Sequence, residues 1–212
     1  MNSRRTFGLA ALAALAVMAS MGASTAMATG NTALCKIHED PCQVANQVSQ
    51  VHAVSTNFVV LNNIANVLCL EVLTKLNALK LGNPLVMHSE ALVFTGCGTN
   101  AAHNNCSITT EELPLLNVLR TSLNLAEATF QAGRIRVQCT VLGSLVIDCP
   151  IELAGTELVM WGSGHLPGFG DEGGQSGSGA GTTPSGFDDV LCPEEIETDI
   201  LLTALEHFYI VS

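Results

Sequence analysis

An all-β fold, a disulfide-stabilised antiparallel β-sandwich or flattened barrel with room for one short helix near its mature N-terminus, is what this sequence predicts. Three observations carry that expectation. Between Gly133 and Cys149, Ile135, Val137, Cys139 and Val141 alternate with Arg134, Arg136, Gln138 and Thr140, the period of a strand with one buried and one wet face. Elsewhere short apolar runs are punctuated by turn residues, as at Leu81-Gly82-Asn83-Pro84, which is the rhythm of antiparallel sheet. Eight cysteines, an even number, follow an export-like segment, and that combination reads as a disulfide framework.

Residues 1–28 have the make-up of an export signal: Arg4 and Arg5, an Ala/Leu-rich run from Leu9 to Met18, and an Ala26-Met27-Ala28 cleavage pattern that makes Thr29 the expected new N-terminus. The apolar run is too short to span a bilayer, which needs about 20 helical residues. No later stretch is longer, so a transmembrane segment in the mature chain is not expected. Ser3-Arg4-Arg5-Thr6-Phe7-Gly8-Leu9 resembles the twin-arginine signal but lacks its usual lysine. The general secretory route is the alternative, because disulfides form after export from a reducing cytosol.

Removing that segment leaves six Lys/Arg against nineteen Asp/Glu, a net charge of −13. Nucleic acid is excluded as a partner, since phosphate binding needs clustered Lys/Arg. No Lys or Arg follows Arg136, whereas twelve acids do. This asymmetry serves solubility first, and it also suits a basic partner or weak cation binding by the acidic C-terminal part.

The cysteines are Cys35, Cys42, Cys69, Cys97, Cys106, Cys139, Cys149 and Cys192. Short loops suggest Cys35–Cys42, Cys97–Cys106 and Cys139–Cys149, with Cys69–Cys192 left by elimination; spacing does not exclude the other connectivities. Cys139 and Cys149 stand near the ends of a hairpin turning at Gly143-Ser144, where an antiparallel register would join them.

From Cys35 to Leu81 two patterns compete. Val44, Val48, Val51, Val54, Phe58 and Leu61 recur at helical spacing, yet the stretch from Val51 is β-branched and aromatic and ends in the turn pair Asn62-Asn63. The reading adopted is a short helix near Pro41 to Gln50, then strands at about 51–61 and 67–76. Leu85 to Phe94 is a further strand, ending at Thr95-Gly96-Cys97-Gly98. A polar loop leads to Cys106 and another strand edge at Ser107 to Thr110. Pro114 argues against a central strand through Glu111 to Leu119, because proline cannot donate to the ladder. Ile151 to Trp161 is a strand. Gly162 to Gly186 holds ten of nineteen glycines and reads as a flexible insertion outside the core. Ile200 to Val211 reads as the closing strand of a single secreted domain, 29–212.

A strand carrying Cys69, the segment Ala91-Leu92-Val93-Phe94-Thr95-Gly96-Cys97, a polar loop to Cys106, Leu113-Pro114, and cysteines at 139 and 149 together resemble a group of uncharacterised secreted proteins of actinobacteria. They are more distantly similar to alkane oxidation protein activators of the PraB type. The resemblance spans about residues 60–212, with Phe-Thr-Gly-Cys its one distinctive motif. It implies a β-rich extracellular domain and carries over no catalytic residues. The Leu-rich first strand, the glycine-rich stretch and the lack of Trp after Leu113-Pro114 depart from that pattern.

Chemistry-bearing constellations are sparse. Cys35, His38 and Cys42, and Cys97, His103 and Cys106, offer zinc-type donors, but neither group has a paired C-x-x-C, and export favours oxidised sulfur, so no metal site is expected. Six histidines are present without a G-x-S-x-G elbow; Trp161-Gly162-Ser163-Gly164-His165 comes nearest. His165 beside Ser163, with Asp148 or Asp171, is the arrangement that would make a hydrolase. Asp171-Glu172, Asp188-Asp189 and Glu194-Glu195 form no calcium loop. One Trp and one Tyr are too few for a sugar-stacking face. No cofactor is expected. The function expected is a non-catalytic secreted or cell-envelope protein, structural, surface or binding in role; the alternatives are a secreted hydrolase and a surface helper for hydrophobic substrate uptake.

Overall fold

The computed structural model describes residues 31–55, 58–61, 66–99, 105–141, 145–164, 173–182, 192 and 195–212. The export segment expected at 1–28, His103, His165, Asp171-Glu172 and Asp188-Asp189 lie outside the described residues.

The described chain is strand almost throughout. In order the strands are β1 (Ala33–Cys35), β2 (Gln50–Ser55), β3 (Phe58–Leu61), β4 (Val67–Cys69), β5 (Glu71–Lys80), β6 (Leu85–Thr95), β7 (Gly98–Thr99), β8 (Cys106–Ser122), β9 (Leu125–Val141), β10 (Leu145–Glu152), β11 (Glu157–Trp161), β12 (Gly174–Thr182), β13 (Glu195–Ala204) and β14 (Tyr209–Val211). All their pairings are antiparallel. Hydrogen-bonded neighbours run β9-β8-β6-β5-β2-β13-β12-β11 and back to β9, so the sheet curls into a ring. Its thinnest seam is β2 against β13, where two residue pairs join, Thr203↔Val54 and Ala204↔Ala53. Curling reduces the open edges that would invite pairing with other chains, although the pairing order still ends at β7.

Alternation decides which side chains face inward. On β2, Val51, Ala53 and Ser55 are buried while their neighbours are half-exposed; on β8, Leu116 and Val118 point in. The barrel core gathers Leu76, Leu85, Met87, Leu116, Val118, Leu158, Met160, Phe208 and Ile210. β8 and β9, 17 residues each, overshoot the barrel and build a second core with β10, in which Val72, Ile108, Ile135, Val137, Ile147 and Ile151 surround the cysteines. Phe130 and Ile200 pack against both cores. Each fully buried Leu, Ile or Phe contributes roughly 1.5–3 kcal/mol, so the two cores dominate the favourable side of folding.

The cysteines form four disulfides: Cys35–Cys42, Cys69–Cys97, Cys106–Cys139 and Cys149–Cys192. The first agrees with expectation and the other three correct it. Val141 pairs with Leu145, which places Cys139 opposite Ile147 and Cys149 opposite Val137. The hairpin register thus keeps those two sulfurs apart. Cys139 instead stands directly across from Cys106 on β8, with Cα atoms 4.1 Å apart, near the close-pair spacing of an antiparallel ladder.

Element readings are corrected as well. No α-helix occurs among the described residues; Val44–Asn46 is a single 3-10 turn. The chain at 67–76 is split into β4 and β5 at Leu70, and the closing run of 200–211 into β13 and β14. The stretch Glu111 to Leu119 is central in part: Leu115–Val118 of β8 pairs with β6 as well as β9, while Pro114 stands just where the β6 pairing stops and the β9 register is irregular between Glu112, Leu115 and Leu116. Gly174–Thr182, expected within a flexible insertion, is strand β12 between β11 and β13. Glycine is needed there because a Cβ on Gly174 would come within 2.5 Å of the Trp161 ring. The backbone lies flat against a buried indole, a close approach that only glycine permits.

Candidate functional site

A cavity of about 60 Å³ lies where the barrel core meets the second core. β5 contributes Thr74 and Leu76, β6 Leu92 and Phe94, β8 Pro114 and Leu116, and β9 Phe130 and Ile135; Leu158 of β11 and Ile200 and Leu202 of β13 complete the far side, with Leu153 and Thr156 from the turn before β11. A single water needs about 10–15 Å³ of such space, so several times that volume lies within a wall that is almost wholly aliphatic and aromatic. Two departures from regular sheet create the space. β5 and β6 slip register between Lys75 and Leu76, and β8 and β9 slip around Pro114, which turns successive side chains away from the centre line.

The polar groups in this wall are hydroxyls. Thr74 Oγ1 lies 3.5 Å from Ser89 Oγ, and Ser89, fully buried, donates to the Ala91 carbonyl at 2.9 Å. Among the described residues no carboxylate, imidazole, amine or thiol lines the cavity. It therefore offers burial and one or two hydrogen bonds, without a group placed to move a proton.

Charged groups sit outside. Lys75 pairs with Glu90, Arg134 with Glu152, and Arg120 with Asp40. Arg136 bonds Asp148 through Nε at 2.6 Å and Nη2 at 2.9 Å, and Glu111 through Nη1 at 3.1 Å. Hydrogen bonds from Arg136, against opposing burial, hold the Asp148 carboxyl below its usual range. Burial raises the Asp40 carboxyl, yet its bonds to Ser212 and the Arg120 charge outweigh this and leave it lowered.

A second arrangement lies at the foot of the barrel. Ser163 Oγ and His207 Nδ1 are 3.2 Å apart; Ser163 is buried and His207 exposed. Neither lines the cavity. Asn124 organises this corner, donating from Nδ2 to the Ser163 carbonyl at 3.0 Å and accepting at Oδ1 from the Ile210 amide at 2.8 Å.

The predicted site residues divide as follows. His165 and Asp171 lie outside the described residues, and Asp148 is engaged by Arg136 at the other core, so Ser163 meets a histidine that the sequence reading did not select. Cys35, Glu39 and Cys42 bring three donor atoms within 4.8 Å of one another, but the two sulfurs are joined to each other and offer no thiolate for zinc. His38 packs against the Tyr209 ring, centroids 5.3 Å apart. All eight cysteines serve the framework and none is free. The cavity residues were missed because they are ordinary strand apolars, and no local spacing says that these converge from separate strands.

No family model, curated protein or solved structure matches this chain. No helix among the described residues is long and apolar enough to cross a membrane, and four disulfides accord with an extracellular location.

Proposed function

We propose that this protein is an exported, non-catalytic binding module that holds a small apolar molecule in its barrel. The cavity carries this reading: a preformed space walled by apolar side chains inside a disulfide-closed scaffold, with hydroxyls as its polar side-chain groups and no titratable side chain among the described residues that line it. Dry cavities lined by Leu, Ile and Phe take up benzene or xenon because such ligands forfeit little solvation on entering. Covalent cross-links around the second core keep the wall from collapsing, which preserves the space that a packing defect would otherwise lose.

Titrating benzene into methyl-labelled oxidised protein tests it. Methyl resonances of Leu116, Leu153 and Leu158 shift on saturation, and Leu153→Phe, which fills the space, abolishes the shifts without lowering Tm. Unmoved methyl resonances in the native protein would sink the proposal.

One observation favours a second reading, a serine hydrolase built on Ser163 and His207, since a histidine within hydrogen-bond reach of a serine is the first requirement for activating it. Fluorophosphonate labelling that disappears in both Ser163→Ala and His207→Ala would select this reading over the first.

A further inference from the structure

The wall of the barrel is incomplete beside the cavity. β6 and β8 pair only over Leu85–His88 against Leu115–Val118. Beyond His88, β6 continues with β5 as far as Thr95, and β8 continues with β9 back to Cys106, but the two no longer face each other in register. They meet again where the Cys106 amide donates to the Cys97 carbonyl at 3.2 Å. Between these closures a side-chain bond spans the gap, Thr110 Oγ1 donating to the Leu92 carbonyl at 2.6 Å. Pro114 bounds the slot from below, and having no N–H it cannot extend the ladder to β6.

Both lips of this slot carry cavity residues, Leu92 and Phe94 on one side and Pro114 on the other. The slot therefore lies directly over the apolar space. Elsewhere the β5–β6 and β8–β9 walls are continuous ladders, apart from their register slips, and parting them would break several backbone bonds at once. Here no ladder pairing spans the gap among the described residues, and the Thr110 hydroxyl bond has to yield. Outside the lips, Glu90 is held by Lys75 and Asn77, and Glu111 by Arg136. Arg136 is shared between Glu111 and Asp148 and Glu112 is exposed, so the approach carries a small acid excess, and exclusion of an ionic headgroup rests on the apolar cavity wall.

Resting on the reading of the cavity as a binding site, we infer that the β6–β8 slot is its access route, that Thr110 is its latch, and that it admits compact uncharged hydrocarbons. A charged amphiphile would have to bring its headgroup into a wall whose described residues hold no counter-ion. Thr110 is a positioning residue: its bond to Leu92 sets how often the lips part, while the affinity is set by the wall within.

The test is exchange kinetics of benzene, followed by methyl NMR line shapes, on native protein, Thr110→Val and Thr110→Ser. Removing a hydrogen bond of ordinary net strength raises association and dissociation rates together by roughly five- to tenfold in Thr110→Val, with Kd unchanged within about twofold. Thr110→Ser, which keeps the hydroxyl, exchanges at the native rate. A Tm of Thr110→Val close to native separates latch loss from general loosening, and hexylammonium serves as the charged control and leaves the methyl resonances unmoved. If benzene binds but both variants exchange at native rates, or if hexylammonium binds as well as benzene, the slot inference is overturned while the cavity reading survives. If benzene does not bind native protein, both fall.

Discussion

Asn124 shows how much one side chain settles in this molecule. It occupies the turn between β8 and β9 with φ of 60°, the left-handed region that asparagine enters more readily than other residues with a Cβ. Its backbone amide donates to the Ile210 carbonyl and its carbonyl accepts from Gly162, both at 3.0 Å, while its side chain bonds Ile210 and Ser163. Four bonds thus tie the β8–β9 turn to β14 and to the end of β11. Gly162 must be glycine because a Cβ there would meet Asn124 Oδ1 at 1.7 Å. Asn124→Ala leaves a buried amide and carbonyl unpaired and keeps the backbone strain, so it lowers stability by about 3 kcal/mol. Asn124→Gly relieves the strain but loses the same bonds, and urea unfolding should place it between the two. Equal midpoints for native and Asn124→Ala protein would show that this corner is not cooperative with the fold.

At the scale of the elements, β8 and β9 organise the rest. They are long enough to serve two cores, and their register decides the disulfides. Counting from Val141↔Leu145, every inward cysteine of the β9–β10 hairpin falls opposite an aliphatic residue, and from Ser122↔Leu125 the β8–β9 ladder with its irregularities brings Cys106 opposite Cys139. A loop-spacing argument weighs only closure entropy, which varies slowly with loop length. Register is far more selective, since a shift of one residue turns a side chain to the other face. Removing the Cys106–Cys139 bond, which spans 33 residues, by a double change to alanine lowers stability by about 3–4 kcal/mol through the unfolded chain. Non-reducing peptide mapping should recover Cys106 linked to Cys139. A peptide joining Cys139 to Cys149 would show that the β9–β10 register is different from the one described.

On the scale of the whole molecule, the two cores share β8, β9 and β13, and Phe130 and Ile200 belong to both. Separating them would expose apolar faces on each side, so the described scaffold should unfold as one unit. Trp161, buried in the barrel at 3% exposure, reports on one end by near-UV dichroism, while far-UV dichroism reports on strands throughout. Their thermal transitions should coincide; a Trp161 transition well below the far-UV one would divide the molecule into two cooperative units. The cavity lies at the junction of these cores, where strands leave the barrel for the second core and side chains from the two cannot interdigitate fully.

The all-β class and the full pairing of the cysteines were legible from residue order, because alternation, turn chemistry and cysteine count are local or additive properties. The alternation of Ile135, Val137, Cys139 and Val141 reappears as the inward face of β9 over its described side chains. Beyond that, residue order was silent or misleading for physical reasons. Gly174–Thr182 looked like linker because composition cannot show that a buried Trp161 requires bare backbone beside it. Pro114 does mark where the β6 pairing of β8 ends, but residue order could not show that the pairing resumes on the next residues, Leu115–Val118. The disulfide partners, the Ser163–His207 approach and the cavity all depend on which strands become neighbours. Those neighbours were chosen by the ring closing β9 to β11 and β2 to β13 across long stretches of chain, a condition satisfied by burial summed over the whole molecule and written in no single segment of it.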